Sequence, residues 1–237
     1  MSSRRRSSLL AAALVSTLAA AALTGCSGPG DDPSAPAAAT PPDVVQALDR
    51  ALDARARVVR RADREAFARL VGGGRVFRER QETWFGNLTQ LPLARLAYRV
   101  DPGSLVRDGD AYRVTVTESL RLDGYDAAPV TSEARFRFAP ARRHPGRFVV
   151  TGVTVSEPQP WDTGPVEVRE GDGVLGVFDT TSVTQAPDLL AAVESGIAVV
   201  GAEVPYEWSG TVVVYALTDP AFLVGLEDVP GDDPGDL

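Results

Sequence analysis

Ala111-Tyr112-Arg113-Val114-Thr115-Val116-Thr117-Glu118-Ser119-Leu120-Arg121-Leu122 is the run on which the fold turns. Tyr112, Val114 and Val116 alternate with Arg113, Thr115 and Thr117, the period of a strand with one face buried and the other wet. Similar segments flank it: Leu93 to Val100 before, Ser132 to Phe138 and Arg147 to Val155 after. Asp101-Pro102-Gly103 and Asp108-Gly109-Asp110 break the first gap, Asp123-Gly124 the second and His144-Pro145-Gly146 the third. Four strands joined by turns predict an antiparallel meander.

Upstream, the period lengthens to that of a helix. Thr40-Pro41-Pro42-Asp43 reads as a helix start, with Thr40 as cap, Pro41 in the first turn and Asp43 as the answering acid. Val44, Leu48, Leu52, Ala56 and Val59 then form one buried stripe, and the arginines between them read as a solvated face. Asp63 is a second cap, ahead of Ala66, Phe67, Leu70 and Val71, and Gly72-Gly73-Gly74 ends that helix. A third helix is expected from about Arg75 to Thr89, with Val76, Phe77, Trp84, Phe85 and Leu88 as its apolar set. Helices followed by a meander give an α+β class, with helices packed on an antiparallel sheet.

Beyond Trp161 the pattern changes. Val166 to Glu170 and Val174 to Phe178 form a hairpin around Gly171-Asp172-Gly173, and Pro187 opens a helix that Gly201 ends. Thr211 to Leu217 is continuously apolar, as expected for a strand covered on both faces, and Asp219-Pro220 starts a last short helix. The result is a small, incomplete β-β-α-β-α unit over 161–227, followed by an acidic Pro/Gly tail over 228–237. Charge divides the chain at the same place: residues 43–156 carry 20 arginines against 14 acids, residues 157–237 one arginine against 16. Glu157-Pro158-Gln159-Pro160 is therefore the expected boundary. So acidic a second half excludes nucleic acid as its partner, since phosphate binding needs clustered cations.

The amino terminus has Arg4-Arg5-Arg6, an uncharged and mostly apolar run from Leu9 to Leu23, and then Leu23-Thr24-Gly25-Cys26. Fifteen helical residues reach about 22 Å, short of a bilayer core of about 30 Å, so residues 1–25 read as a signal peptide. Leu-Thr-Gly-Cys resembles the lipobox of bacterial lipoproteins, and the resemblance implies cleavage before Cys26 and lipidation of its thiol. Residues 26–42 lack large apolar side chains and read as a tether of roughly 50 Å when extended. The expected location is the cell membrane, with the chain lipid-anchored at its extracytoplasmic face.

Two further resemblances concern the soluble part. Helices containing Asp63-Arg64-Glu65-Ala66-Phe67-Ala68-Arg69-Leu70, followed by four strands, resemble the nuclear-transport-factor-like superfamily over residues 43–156, which implies a curved sheet wrapped cone-like around helices and a pocket. Gly173 to Phe178, the helix ending near Gly201, the Trp208 turn and the strand Thr211 to Leu217 resemble the front of gluzincin-type zinc metallopeptidase domains. That family's metal ligands come from an HExxH helix and a later glutamate, and no HExxH occurs in this sequence.

Catalytic options are few. All 24 basic residues are arginine, so no lysine can form a Schiff base, and His144 is the single histidine. One imidazole cannot build a two-histidine zinc site, and the single thiol is expected to carry lipid. His144 sits in the arginine-rich turn Arg142-Arg143-His144-Pro145-Gly146, a solvated loop. Asp228, Asp232, Asp233 and Asp236 lack the spacing of a calcium loop. No metal or cofactor is expected, and the chain reads as a noncatalytic envelope lipoprotein, binding or accessory. The alternative is a secreted zinc metallopeptidase, truncated or decayed, whose catalytic half lies elsewhere. The candidate ligand residues are Trp84, Tyr98, Tyr112, Phe136 and Phe148, aromatics placed between helices and sheet. The partners expected are the membrane, through the lipid, and a small apolar ligand or an envelope protein.

Overall fold

The computed structural model describes residues 42–219. Cys26, the signal peptide, the tether, the cap at Thr40, the last short helix and the acidic tail lie outside the described residues. Helices α1 (Pro42–Arg60), α2 (Arg64–Leu70) and α3 (Arg75–Leu88) come first. Strands β1 (Leu93–Val100), β2 (Val106–Asp108), β3 (Ala111–Leu122), β4 (Val130–Pro140) and β5 (Phe148–Val155) follow. A short turn of helix, α4 (Pro160–Thr163), leads to β6 (Val166–Gly171), β7 (Val174–Asp179), α5 (Ala186–Glu203) and β8 (Val212–Ala216).

The first sheet is antiparallel in the order β1-β3-β4-β5, with the short β2 pairing the start of β3 beside β1. Sequence periodicity missed β2 because three residues are too few to show alternation. Its register follows from burial: Val114, Val116, Leu120 and Leu122 face inward from β3, against Ala134, Phe136 and Phe138 of β4. The stripe Leu48, Leu52, Ala56 and Val59 lays α1 over this face. Asp63 caps α2 as its sequence position implies, its carboxylate accepting from Ala66 N at 2.9 Å. The fold is α+β, helices on a curved antiparallel sheet.

The second sheet, β6-β7-β8, is mixed: β6 and β7 form the expected hairpin, while β8 returns parallel to β7 after α5. Gly173 turns the hairpin with φ +74°, and a Cβ there would stand 2.6 Å from Gly210 O, so only glycine fits. At the other end of β7 the Asp179 carboxylate accepts from the backbone N–H of Thr181, Ser182 and Thr218 and from the Thr218 hydroxyl. These donors, the Thr218 hydroxyl foremost, hold that carboxyl far below the ordinary range and pin the end of β8.

Two expectations change here. The continuous apolar run of β8 predicted cover on both faces, but among the described residues β8 is the outer strand of its sheet and its residues are only half-buried, with Tyr215 39 % exposed. It is β7, with Val174 to Phe178 all buried, that fills the doubly covered position. The charge boundary at 157–160 does mark where the first sheet ends, but one hydrophobic core crosses it. Trp161, Val166, Leu175 and Val177 pack with Phe67, Trp84, Phe85, Leu88 and Leu120. The described residues, 42–219, form one compact unit of two sheets sharing this core.

The join is also polar. Asn87, 3 % exposed at the end of α3, donates through Nδ2 to Trp161 O (2.9 Å) and Gly164 O (2.7 Å) and accepts at Oδ1 from Val166 N (3.0 Å). Gln90 continues the pattern, donating to Val166 O and accepting from Val168 N. Two side chains thus bond the outer edge of β6 where a neighbouring strand would otherwise stand.

Candidate functional site

Arg55 breaks the helical stripe that predicts α1. It lies three residues after Leu52 and four before Val59, on the inward face, and is 1 % exposed. The expectation that the α1 arginines form a solvated face holds for Arg50, Arg57 and Arg60, which are exposed, and fails for this one. Its guanidinium lies 4.1 Å from the Trp84 ring centroid and 4.8 Å from that of Phe67, and Nη2 donates to Gln81 Oε1 at 2.6 Å. Nε and Nη1 have no hydrogen-bond partner among the described residues. Unused donors on a buried cation are costly, so the interior must offer them something polar.

Two carboxylates and a phenol surround that cation. Tyr98 of β1 and Glu118 of β3 are cross-strand partners in the β1–β3 register, both on the inner face. Asp162 comes from α4, its carboxylate fixed by the Gln159 backbone N–H at 2.8 Å. Burial first, and then the negative charge of Asp162, push the Glu118 carboxyl up to about 7, with Arg55 and Tyr98 acting against them. Burial likewise pushes Asp162 up to about 6, against hydrogen bonding from Gln159 and Trp84 and the charge of Arg55. Tyr98 is driven far above the ordinary phenol range by burial and by the negative charge of Glu118, against the positive charge of Arg55. The two carboxyls thus exchange protons near neutrality beside a permanent cation.

Arg55, Gln81, Trp84, Glu118 and Asp162 line a slot of about 40 Å³. That is space for a few waters or for one polar functional group. A second cleft, of about 110 Å³, shares Glu118, Ser132 and Gln159 with the slot and adds Asp126 together with Leu120, Leu122, Val130, Trp161 and Tyr215. A polar bottom and a more apolar mouth therefore meet along one wall, and Trp161 and Tyr215 of the second half help to build it.

Of the five aromatic residues expected at a site, the structure brings three together and separates two. Trp84 lies under Arg55, Phe136 lines the slot, and Tyr98 meets Phe136 edge-on at 6.0 Å. Tyr112 and Phe148 instead pair with each other, edge-on at 5.6 Å, and neither touches the slot. Sequence reading missed Arg55, Gln81, Glu118 and Asp162. Signals existed for two of them: Arg55 occupies a stripe position, and Glu118 falls on the inward beat of β3 between Val116 and Leu120. Asp162 needed the chain to return to the first half, which no local pattern reveals. Among the described residues no group of three or more His, Cys, Asp and Glu side chains could hold a metal ion.

No protein family and no curated protein matches the chain in sequence. Among solved structures, an NTF2-like protein aligns with 47 % of this chain and 96 % of its own, at 11 % identity and a TM-score of 0.36. An LEH-like epoxide hydrolase from M. tuberculosis aligns with 46 % of this chain and 84 % of its own, at 14 % identity and a TM-score of 0.27. A SEC-C motif containing protein from Rhodopseudomonas palustris aligns with 42 % and 70 %, at 15 % identity and a TM-score of 0.29.

Proposed function

We propose that this chain is a noncatalytic lipoprotein of the cell envelope, anchored through Cys26, that binds a small ligand with one hydrogen-bonding end and an apolar body. The observation that carries the binding site is Arg55, buried yet holding two unpartnered N–H donors toward a slot. Arg55 supplies donors, while Glu118 and Asp162 supply acceptors. The three charges nearly cancel when the carboxyls share one proton, so an uncharged group that both donates and accepts, such as a primary amide, suits the slot better than an ion. The apolar remainder would rest on Leu120, Val130 and Trp161 in the adjoining cleft.

Alkyl amides of increasing chain length are the probe. Binding is expected to be saturable by tryptophan fluorescence, since Trp84 and Trp161 line the slot and the cleft, and to tighten with chain length. Arg55→Met should abolish it, whereas Tyr112→Ala, away from the slot, should leave it unchanged. No saturable signal for any chain length, or equal loss in both variants, would remove the site from the proposal.

Anchoring is read from Leu23-Thr24-Gly25-Cys26 and the tether behind it. In membranes washed with high salt, which releases charge-mediated binding, the full-length chain is expected to stay bound and Cys26→Ser to be released, a thiol being needed for the lipid. Equal membrane retention of both would end the lipoprotein reading.

A further inference from the structure

A second feature of the first half takes no part in the interior slot. Between α1 and the turn joining β4 to β5 runs a groove of about 270 Å³, with Arg50, Arg57 and Arg147 along it and Ala51, Leu70 and Phe148 among its apolar walls. No carboxylate lines it, although Asp53 stands nearby on the exposed side of α1. The surface arginines Arg64, Arg69 and Arg75 of the neighbouring helices each pair with a glutamate, whereas Arg50, Arg57 and Arg147 make no ion pair among the described residues. The same turn adds the exposed Arg142 and Arg143, the cation cluster that the sequence shows without assigning it a role.

We infer that this groove seats the phosphate-bearing headgroup of an anionic lipid, so that the first half docks on the bilayer surface. Three observations choose this occupant. The cations have no ion-pair partner among the described residues and are arranged around an apolar floor, which fits a headgroup whose phosphate meets guanidinium forks while its glycerol and upper acyl carbons meet Leu70 and Phe148. The part of the sheet and helices that carries the groove belongs to the basic stretch, 20 arginines against 14 acids over residues 43–156, complementary in sign to an anionic surface. The chain preceding α1 ends beside it: Arg50 follows Pro42 by eight residues, about 12 Å along the helix, and the stretch before Pro42 is the expected tether. The acidic second half is not part of this face, since the groove draws on α1, α2, the β4–β5 turn and the start of β5.

The test uses residues 40–237, which contain the whole described fold but lack Cys26, and therefore reports on the groove whether or not the chain is lipidated. Cosedimentation with vesicles of phosphatidylcholine alone and of phosphatidylcholine mixed with phosphatidylglycerol should show binding only to the mixed vesicles. The triple variant Arg50→Gln, Arg57→Gln, Arg147→Gln should bind about a hundredfold more weakly, roughly fivefold for each arginine. These residues are exposed, so the variant keeps its fold, which circular dichroism verifies. A control of equal charge change, Arg78→Gln, Arg80→Gln, Arg95→Gln, should lose far less. Three results would overturn the inference: equal loss in both triple variants, which makes the effect one of overall charge; equal binding to both vesicle types; or displacement from vesicles by inorganic phosphate at constant ionic strength, which makes the groove a site for a free anion.

Discussion

Asn87→Ala should destabilise the protein by about 3 to 5 kcal/mol in chemical denaturation, the largest loss expected from any single polar side chain here. The substitution leaves Trp161 O, Gly164 O and Val166 N without partners in a place where Asn87 itself is 3 % exposed. Each stranded group loses its hydrogen bond and gains no water. Gln90→Ala, which removes similar bonds at a more open position, should cost about 1 kcal/mol. Amide exchange should accelerate first across β6, where these side chains replace a neighbouring strand. A loss below about 1 kcal/mol for Asn87→Ala would mean that water reaches the junction between α3 and α4, and that the two sheets are held by apolar contact alone.

The second large effect is on the pH dependence of stability. Glu118 is raised from 4.5 to about 7 and Asp162 from 3.8 to about 6, both chiefly by burial. The folded protein therefore keeps protons that the unfolded chain has already released. Stability is unaffected by these groups below the unfolded values and falls as pH rises through the window up to about 7. At about 1.4 kcal/mol per unit, the Glu118 shift alone amounts to about 3 kcal/mol. Glu118→Gln removes the titrating proton while keeping the shape, so the decline between pH 5 and 7.5 should shrink to the remainder due to Asp162. Denaturation midpoints across that range test it, and an unchanged slope would place the uptake of protons elsewhere. Asp179 acts in the opposite sense and in a lower window, since its depressed carboxyl adds stability that is lost as the medium becomes strongly acidic.

The sequence was most informative where one physical requirement dominates. Strand β3 spans Ala111–Leu122, the run read from alternation alone, and Asp63 caps α2 because a carboxylate three residues before an unsatisfied N–H has few better uses. It misled at β8, where apolar content stood in for burial: Val212 to Val214 are as apolar as the centre of a sheet, yet their strand lies at its edge. The site was legible only in part, for a reason that applies to interior polar clusters generally. Arg55 and Glu118 each look like a surface residue misplaced by one position, and only their meeting inside the fold, with Asp162 brought from 44 residues further along than Glu118, turns two apparent irregularities into one arrangement. Trp84 and Phe136 stand out in the sequence because aromatics in such places are conspicuous, whereas Tyr112 and Phe148 are equally conspicuous but pair with each other away from the slot.

Strand β8 has an open flank among the described residues, and Val199, Val200 and Val204 are exposed near the end of the helix that precedes it, one long and apolar enough to cross a membrane. Such a margin invites copies of the chain to pair edge to edge. The excess of 16 acids over one arginine in that half supplies the countermeasure, because neighbouring molecules approach one another with like sign. Solubility in this region is consequently an electrostatic property, strongest in dilute buffer and eroded as added salt shortens the reach of the repulsion.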